Sequence, residues 1–293
     1  MIDIINIKEK QEDIMIQAIF FDIDGTLIGP SKRVTKNTEE GIKKARANGH
    51  KTFLCTGRAP VSIMKSIRDI GFDGIISSAG GFVSIDGKYI FENFINQYVL
   101  SEVMLLFTNA KILFSLETKD ALYQTPGVQD FFEKKQANIL EGNLELARFL
   151  EERRNEEVRL PISEFNILQT KVTKVCFIAE DKLAFYDCVK YLSEFFNIVI
   201  FSKETDDFIN GEIILKNCTK GDAMKRAVAY LGGDMKDTIA FGDSMNDFQM
   251  ISEAAYGVVS YLAPDKLKAI ADDTFEEPDD DGIFKCLQRL GLI

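Results

Sequence analysis

The sequence predicts an α/β protein whose core is a Rossmann-like, doubly wound parallel sheet, with an α+β domain inserted into it. Three observations lead to this prediction. Short apolar runs alternate with helical patterns near the N-terminus, the alternation breaks after about residue 84, and it resumes after about residue 217. Strand–helix–strand alternation is typical of parallel sheets with crossover helices, whereas a mixture of strands and helices indicates a layer of its own.

The first part of the core is predicted from segments in which strand-like and helix-like patterns of apolar residues alternate. The run from Ile16 to Phe21 is apolar and too short for a helix, which is typical of a strand buried on both faces. A helix is predicted over Val34–Asn48, with Thr35 as its N-cap and Asn48-Gly49 as its end. The next segments are a strand over Lys51–Cys55, a helix over Ala59–Ile70 and a strand over Gly74–Ser77.

The inserted domain is predicted to occupy residues 85–216. Its start falls within a predicted hairpin in which Phe82–Ile85 and Lys88–Phe91 flank the turn pair Asp86-Gly87. Helices are expected near residues 99–110, 128–138, 143–155 and 181–196, and strands over 112–118, 172–180, 197–202 and 209–215. The core then resumes with Lys220–Leu231, Thr238–Phe241, Asp247–Ala255 and Gly257–Val259. The predicted core is therefore residues 1–84 and 217–293, with residues 1–15 as an N-terminal extension.

Composition limits the classes of function. Of 293 residues, 46% are apolar and 28% charged, so the chain can bury real cores. Thirty-five basic against 46 acidic residues give a net charge of −11, which disfavours nucleic acid and anionic membranes as partners. No apolar run approaches the roughly 18 residues of a membrane-spanning helix, and no signal peptide is recognisable. Five scattered cysteines without a CxxC pair favour a soluble, cytoplasmic protein with reduced thiols.

Acidic residues follow two of the predicted core strands. Ligands of doubly wound sheets bind beyond the carboxyl ends of the strands. Asp22 and Asp24 lie two residues apart after the first strand, on one side of it, and Asp243 and Asp247 follow Thr238–Phe241. Gathered carboxylates repel one another unless a cation or a shared proton intervenes, and Mg²⁺ prefers such oxygen ligands. A turn or cap role is the alternative for each aspartate, but it is weak for Asp22, which ends an apolar strand.

A hydroxyl and a lysine are candidates for holding an anion. Thr56 and Gly57 lie at a strand-to-helix turn, where hydroxyl and backbone N–H groups bind phosphate oxygens, although an ordinary N-cap is equally typical. Lys220 begins a helix after the capping candidate Thr219, and a cation there calls for a compensating anion. On spacing alone, a solvated surface lysine is favoured.

Other sequence features exclude common kinds of site. The single histidine, His50, follows the Asn48-Gly49 stop and is interpreted as a turn or strand-edge residue. A chain with one histidine so placed is a poor candidate for a Ser-His-Asp relay. Neither GxxxxGK[ST] nor GxGxxG occurs, which argues against the common nucleotide-binding modes. The acidic stretch over residues 272–281 is predicted to be a solvated loop.

Four motifs, in order and spacing, carry a resemblance to a known family. They are DIDGT at residues 22–26, TGR at 56–58, the pair Lys220-Gly221, and GDSMND at 242–247. Together they resemble the haloacid dehalogenase (HAD) superfamily. The insertion resembles the large α+β (C2B-type) cap of the Cof-type sugar-phosphate phosphatases, and the likeness covers nearly the whole chain from about residue 16.

The resemblance implies a magnesium-dependent phosphomonoester hydrolase that acts on a small phosphorylated metabolite such as a sugar phosphate. Asp22 would be the nucleophile that forms an aspartyl-phosphate, and Asp24 would act as acid and then as base. The residues implied to bind the substrate phosphate are Thr56, Gly57, Lys220 and Asn246. Those implied for Mg²⁺ are Asp22, Asp24 through its backbone carbonyl, Asp243 and Asp247, the last orienting waters or Lys220.

Two segments depart from the pattern of this family. Ala79-Gly80 stands where relatives commonly have Asn-Gly, and Tyr261-Leu262-Ala263 stands where they often have Gly-Asn-Ala. Both changes remove polar groups near the expected cleft between cap and core. They bear on the identity of the substrate more than on the phosphoryl chemistry.

Two alternative functions stay open at this point. One is a phosphomutase or phosphotransferase that uses the same aspartyl-phosphate. The other is a catalytically quiet, ligand-binding regulatory protein. In each case the expected partner is a small phosphorylated metabolite rather than nucleic acid or membrane, and the chain is expected to be a monomer or small homo-oligomer.

Overall fold

A computed structural model describes residues 17–140, 157–202 and 204–293 of the chain. Its strands are β1 (Ala18–Phe21), β2 (Lys51–Cys55), β3 (Gly74–Ser77), β4 (Phe82–Ile85), β5 (Lys88–Glu92), β6 (Leu113–Glu117), β7 (Leu122–Gln124), β8 (Arg159–Pro161), β9 (Lys174–Ala179), β10 (Phe196–Ile200), β11 (Ile209–Leu215), β12 (Thr238–Gly242), β13 (Tyr256–Ser260) and β14 (Asp273–Phe275). Its α-helices are α1 (Lys36–Ala47), α2 (Lys65–Arg68), α3 (Gln97–Asn109), α4 (Val128–Leu140), α5 (Lys182–Phe195), α6 (Lys220–Tyr230), α7 (Phe248–Glu253), α8 (Asp265–Lys268) and α9 (Gly282–Arg289).

The core is an eight-stranded sheet in the order β14-β13-β12-β1-β2-β3-β4-β5. Strand β1 lies in its middle and pairs in parallel with β2 on one side and β12 on the other. Both of its faces are covered: Ile19 and Phe21 belong to one apolar cluster with residues of α1 and α9, and Phe20 belongs to another with residues of α6. The predicted α/β class and the buried first strand are therefore confirmed, with Ile16 outside the described residues.

The hairpin of β4 and β5 belongs to the core sheet, and this corrects the predicted boundary between residues 84 and 85. Strand β4 pairs antiparallel with β3, and the turn at Asp86-Gly87 folds β5 back onto β4. Both turn residues have positive φ, 49° and 75°, as a tight two-residue hairpin requires. The chain therefore leaves the core after Glu92, and it returns between Leu215 and Lys220.

The inserted segment, called the cap below, forms a six-stranded sheet in the order β10-β11-β9-β6-β7-β8. Strands β6, β9, β10 and β11 and helices α3, α4 and α5 correspond to predicted elements. The helix predicted over residues 143–155 lies outside the described residues. The strands β7 and β8 were not predicted because three residues are too few to show a period. None of the described helices is long and apolar enough to cross a membrane.

Two core segments differ from the predictions. The helix predicted over Ala59–Ile70 is interrupted, because Pro60–Ser62 form a 3₁₀ turn and α2 begins only at Lys65. The carbonyl of Ser62 accepts a hydrogen bond from the Arg58 guanidinium at 3.3 Å, outside the helical pattern. The acidic stretch over residues 272–281 contains the edge strand β14, whose Phe275 is buried in the core, so the prediction of a solvated loop there is wrong.

His50 is buried between α1 and β2, and its Nδ1 accepts the backbone N–H of Gln17 at 3.1 Å. Burial lowers the pKa of His50 below its ordinary value. As the pH falls, the unfolded chain therefore binds the proton first, so this contribution to stability is complete above the ordinary pKa and is lost at lower pH. We expect the contribution of this group to the urea unfolding free energy to fall between pH 7.5 and 5.5, by at most about 1.4 kcal/mol per pH unit. Asp22 and Asp243, whose pKa values are raised, act in the opposite direction, so the contribution of His50 is measured as a difference between two proteins.

The matched comparison is His50→Gln, since the chain has no second histidine. As the pH falls over the same interval, the wild-type protein should lose unfolding free energy relative to the variant, because the other titrating groups are common to both. Identical pH dependence in the two proteins would contradict the prediction.

Candidate active site

The carboxyl ends of β1, β2 and β12 meet at a cavity of about 460 Å³ between the core sheet and the cap. Five of the predicted site residues line it: Asp22, Asp24, Thr56, Gly57 and Asn246. The other three, Lys220, Asp243 and Asp247, lie beneath Asp22 and contact it directly or through one another. The parallel sheet thus brings together residues that are up to 225 positions apart in the sequence (22 to 247).

Lys220 lies under the cavity with its side chain fully buried. Its Nζ donates to Asp22 Oδ1 at 2.6 Å and to Asp247 Oδ1 at 2.5 Å. Burial alone would lower the pKa of Lys220, but the two carboxylates outweigh it and raise that pKa above its ordinary value. The alternative of a solvated surface lysine is therefore wrong, and the side chain is a buried ammonium between two acids.

The start of α6 fixes the position of Lys220. Thr219 is the N-cap of this helix, and its hydroxyl accepts the backbone N–H of Asp222 at 3.1 Å. The Asp222 carboxylate in turn accepts the backbone N–H of Thr219 at 3.1 Å, which completes a capping box. Gly80 packs closely against this helix N-terminus, so that a Cβ at residue 80 would lie 2.4 Å from the Thr219 carbonyl oxygen.

Asp22, Asp243 and Asp247 form a group that could hold a cation. One carboxylate oxygen of each lies within 4.8 Å of the others. Asp247 is held in place because its Oδ2 accepts the backbone N–H groups of Asp243 and Ser244 at 3.0 and 3.1 Å. In the described part of the chain, Asp243 Oδ1 is buried and has no hydrogen-bond partner. A buried acceptor of this kind needs a partner, and a hard divalent cation would supply one.

The electrostatics of this group also fit a cation. Burial raises the pKa of Asp22 to about 7, with Asp247 and Asp24 adding to the rise and Lys220 opposing it. Burial and the Asp22 and Asp247 carboxylates likewise raise the pKa of Asp243 to about 8. Without added positive charge, Asp22 and Asp243 would therefore be partly protonated near neutral pH, whereas a divalent ion would stabilise their ionised carboxylates.

Gly25 allows two of the strand ends to approach each other. Its φ is +82°, and a Cβ at this position would lie 2.2 Å from Asp243 Oδ2. A side chain at residue 25 would therefore displace Asp243 from the acidic group. This explains in physical terms why a glycine follows Asp24 in the DIDGT motif.

Asp24 lies outside the acidic group, with its side chain 51% exposed. Its two carboxylate oxygens accept hydrogen bonds from Arg58 Nε at 2.7 Å and Nη2 at 2.6 Å. Arg58 belongs to the TGR motif, but no role was predicted for it from the sequence. The structure pairs it with the predicted acid–base residue, while a metal contact through the Asp24 backbone stays a prediction.

The turn after β2 faces Asn246. Thr56 Oγ1 is buried and accepts the backbone N–H of Arg58 at 3.2 Å. A Cβ at Gly57 would lie 3.6 Å from Asn246 Nδ2, so the amide and the turn are neighbours. Asn246 Oδ1 accepts a hydrogen bond from Ser244 Oγ at 2.7 Å, which orients the amide. This arrangement offers hydroxyl and N–H donors on one side of Asp22.

The cap contributes charged residues that were not predicted from the sequence. Glu117 on β6, Lys174 on β9 and Glu212 on β11 line the cavity, as do the half-exposed rings of Phe132 and Phe201. Each of the three charged residues lies in a strand that is mostly apolar. A charge in such a strand requires a buried partner, and this was the available signal.

The two departures from the family pattern lie in different surroundings. Ala79 is buried and lines a second cavity of about 460 Å³ at the junction of cap and core, together with Lys220 and Asn246. Leu262 is 67% exposed. The loss of a polar group at residue 79 therefore affects a buried interface, whereas the change at residue 262 affects the surface.

Comparison with known proteins identifies the family. Residues 19–287 match the family model of haloacid dehalogenase-like hydrolases. The chain belongs to this family. The match confirms the predicted HAD superfamily, its fold class and the prediction of an enzyme.

Two Bacillus subtilis relatives of this HAD chain match it over nearly their full length. The Bacillus subtilis protein YkrA is 24% identical over 290 residues, covering 94% of this chain and 98% of its own. The phosphatase YwpJ of the same organism is 23% identical over 292 residues, covering 94% and 100%.

Solved structures share the HAD fold at low sequence identity. A haloacid dehalogenase-like hydrolase from B. subtilis matches with a TM-score of 0.80 and 21% identity, covering 94% of this chain and 100% of its own. The HAD subclass IIB sugar phosphatase BT4131 matches with a TM-score of 0.75 and 22% identity, also covering 94% and 100%.

Proposed function

We propose that this HAD hydrolase is a Mg²⁺-dependent phosphatase that hydrolyses the phosphomonoester of a small metabolite, such as a sugar, through a phosphorylated Asp22. One observation carries the proposal. Asp22 lines the cavity at the end of β1 while its Oδ1 is bonded to the buried Lys220. A carboxylate fixed in this way is oriented for attack, and the adjacent ammonium favours its ionised, nucleophilic form.

Asp22 and Asp24 would carry out the bond changes. In the first step, a carboxylate oxygen of Asp22 forms a bond to phosphorus, the ester P–O bond breaks, and Asp24 gives a proton to the departing oxygen. In the second step, Asp24 takes a proton from the water that attacks phosphorus, which releases phosphate and regenerates Asp22. Asp24 suits this role because it is half exposed, lines the same cavity and is held there by Arg58.

The remaining site residues would stabilise charge. Asp22, Asp243 and Asp247 are the side chains that would hold Mg²⁺, and the bound ion would offset negative charge during phosphoryl transfer. The Thr56 hydroxyl, the Gly57 turn and the Asn246 amide would bind phosphoryl oxygens. Lys220 acts from beneath, through Asp22 and Asp247, rather than from the cavity wall.

The cap would contact the organic part of the substrate, because its strands and α4 form the opposite wall of the cavity. We further propose that the enzyme works in the cytoplasm. The observation in favour is that all five cysteines are free thiols, as expected in a reducing compartment.

A hydrolysis screen tests the proposed function. Purified protein with Mg²⁺ should release phosphate from p-nitrophenyl phosphate and from some members of a panel of phosphorylated metabolites. EDTA should abolish turnover and added Mg²⁺ should restore it, because the acidic group needs a cation to bind a phosphate dianion beside it.

Two outcomes of this screen would indicate the alternative functions. Transfer of the phosphoryl group to an added sugar, in excess over release to water, would indicate a phosphotransferase. Absence of turnover across the whole panel, with and without metal, would indicate a ligand-binding protein.

A further inference from the structure

Lys174 joins the cap to the proposed phosphate-binding turn. It lies on β9, its side chain is almost fully buried, and its Nζ donates to the backbone carbonyl oxygen of Gly57 at 2.6 Å. The two residues are 117 positions apart in the sequence. A charged side chain of the cap is therefore hydrogen-bonded to the backbone of the core beside Thr56.

Two glutamates hold the ammonium in place. Glu212 Oε2 lies 2.5 Å and Glu117 Oε2 lies 3.2 Å from Lys174 Nζ. Glu117 is directly opposite Lys174 in the register of β6 and β9, and Glu212 is on the neighbouring strand β11 opposite Cys176. Burial alone would lower the pKa of Lys174, but these carboxylates outweigh it and raise that pKa well above its ordinary value. The ammonium thus stays charged: it donates hydrogen bonds to Gly57 O and Glu212 Oε2, and the Glu117 carboxylate adds an ion pair.

The contact with Gly57 acts on more than one atom, because a peptide unit is planar and rigid. The Gly57 carbonyl and the Arg58 N–H belong to the same unit and point in opposite directions. This N–H donates to Thr56 Oγ1 at 3.2 Å. Fixing the carbonyl from the cap therefore also fixes the N–H that the Thr56 hydroxyl accepts.

The accepted bond determines what the hydroxyl can do. A threonine hydroxyl has one hydrogen to donate and accepts through its lone pairs. When Thr56 Oγ1 accepts from the Arg58 N–H, its own hydrogen turns away from that bond and is available to a phosphoryl oxygen in the cavity. A hydroxyl that rotates freely would lose entropy when it binds the phosphate, whereas a hydroxyl that is already oriented loses less.

We propose that Lys174 is a positioning residue, which fixes the Gly57–Arg58 peptide unit from the cap and so presets the Thr56 hydroxyl for the substrate phosphate. This inference rests on the proposed function of the same site. If Lys174 acts in this way, the Thr56 hydroxyl is held ready for phosphate only while the cap is in contact with the core.

A double-mutant cycle tests the inference. The single change Lys174→Met would leave two buried carboxylates without a cation, so the variant of choice is Lys174→Met/Glu117→Gln/Glu212→Gln, which removes all three charges. Introduced into the wild-type protein, the triple change should lower kcat/KM for p-nitrophenyl phosphate about tenfold. Introduced into the Thr56→Val protein, it should lower kcat/KM by less than about twofold. A merely structural role would give equal losses in both backgrounds.

The matched control is Lys182→Met, which removes another cap lysine whose Nζ donates to a backbone carbonyl, that of Glu204, at 3.3 Å on the cap surface. It should leave kcat/KM unchanged. Equal losses in the two backgrounds, in a wild-type protein that is active, would overturn the inference and leave the proposed function standing. A wild-type protein that hydrolyses no phosphomonoester would overturn both.

Discussion

Replacement of Asp22 by asparagine is expected to reduce hydrolysis of p-nitrophenyl phosphate by at least about 10⁴-fold, since the variant lacks the nucleophile. Asparagine has nearly the same shape and can still accept the hydrogen bond from Lys220, but its amide cannot form the phosphorylated intermediate. Acid quenching during turnover of a phosphoryl-labelled substrate should trap label on the wild-type protein and none on the variant.

The stability of this variant separates a chemical effect from a folding effect. Burial raises the pKa of Asp22 to about 7, above its ordinary value, so the ionised carboxylate destabilises the folded state at pH 8. In metal-free buffer at that pH, Asp22→Asn should therefore unfold in urea at or above the wild-type midpoint.

The matched control for this experiment is Asp69→Asn. This exposed acid on the core pairs only with the exposed Lys65 in the bonds described for it. We expect unchanged turnover and a change in unfolding free energy within about 0.5 kcal/mol. Retained hydrolysis in Asp22→Asn would refute the assignment of the nucleophile.

Replacement of Lys220 by methionine is expected to lower both stability and activity. The ammonium is the buried cation between Asp22 and Asp247, and its loss leaves their carboxylates uncompensated. Removal of one partner from such a buried group costs about 3–5 kcal/mol. Turnover should fall by about 10²-fold or more, because a preorganised charge beside the nucleophile is lost. Urea unfolding in metal-free buffer and steady-state hydrolysis measure the two effects.

Two further variants determine the cause of the loss. Lys225→Met, on the same helix, removes a half-exposed lysine paired with Glu253 and should change stability by no more than about 0.5 kcal/mol. The double variant Lys220→Met/Asp247→Asn should recover part of the lost stability, because it also removes one unpaired carboxylate. A Lys220→Met protein as stable as wild type would show that the acids do not depend on the ammonium.

The core could be predicted from the sequence because its signals are local. The strand over Ala18–Phe21 is apolar throughout, and the N-cap of helix α1 is the single residue Thr35. Asp22 and Asp243 directly follow the ends of their strands. Once the strands are assigned as parallel, their carboxyl ends must meet, so the gathering of Asp22, Asp243 and Asp247 follows from the topology.

What the sequence did not show depends on partners that are distant along the chain. A hairpin signal at Asp86-Gly87 predicts two paired strands, but only the pairing of β4 with β3 determines which sheet they join. In the same way, spacing favoured a surface position for Lys220, because its two acidic partners lie 198 and 27 residues away. The pairing of Lys174 with acids of two neighbouring strands requires the register of the cap sheet, which no local pattern specifies.

The capping box at Thr219 has a mechanical consequence for the lysine that follows it. Only residues 216–218 separate the last cap strand from this box, so a tilt of the cap would pull on the backbone close to Lys220. The reciprocal hydrogen bonds between Thr219 and Asp222 hold the backbone between the cap and Lys220, and Gly80 packs against the Thr219 carbonyl. The ammonium of Lys220 is therefore shielded from such a displacement. Tilting of the cap would thus change the shape of the entrance while the charge beneath the nucleophile keeps its place.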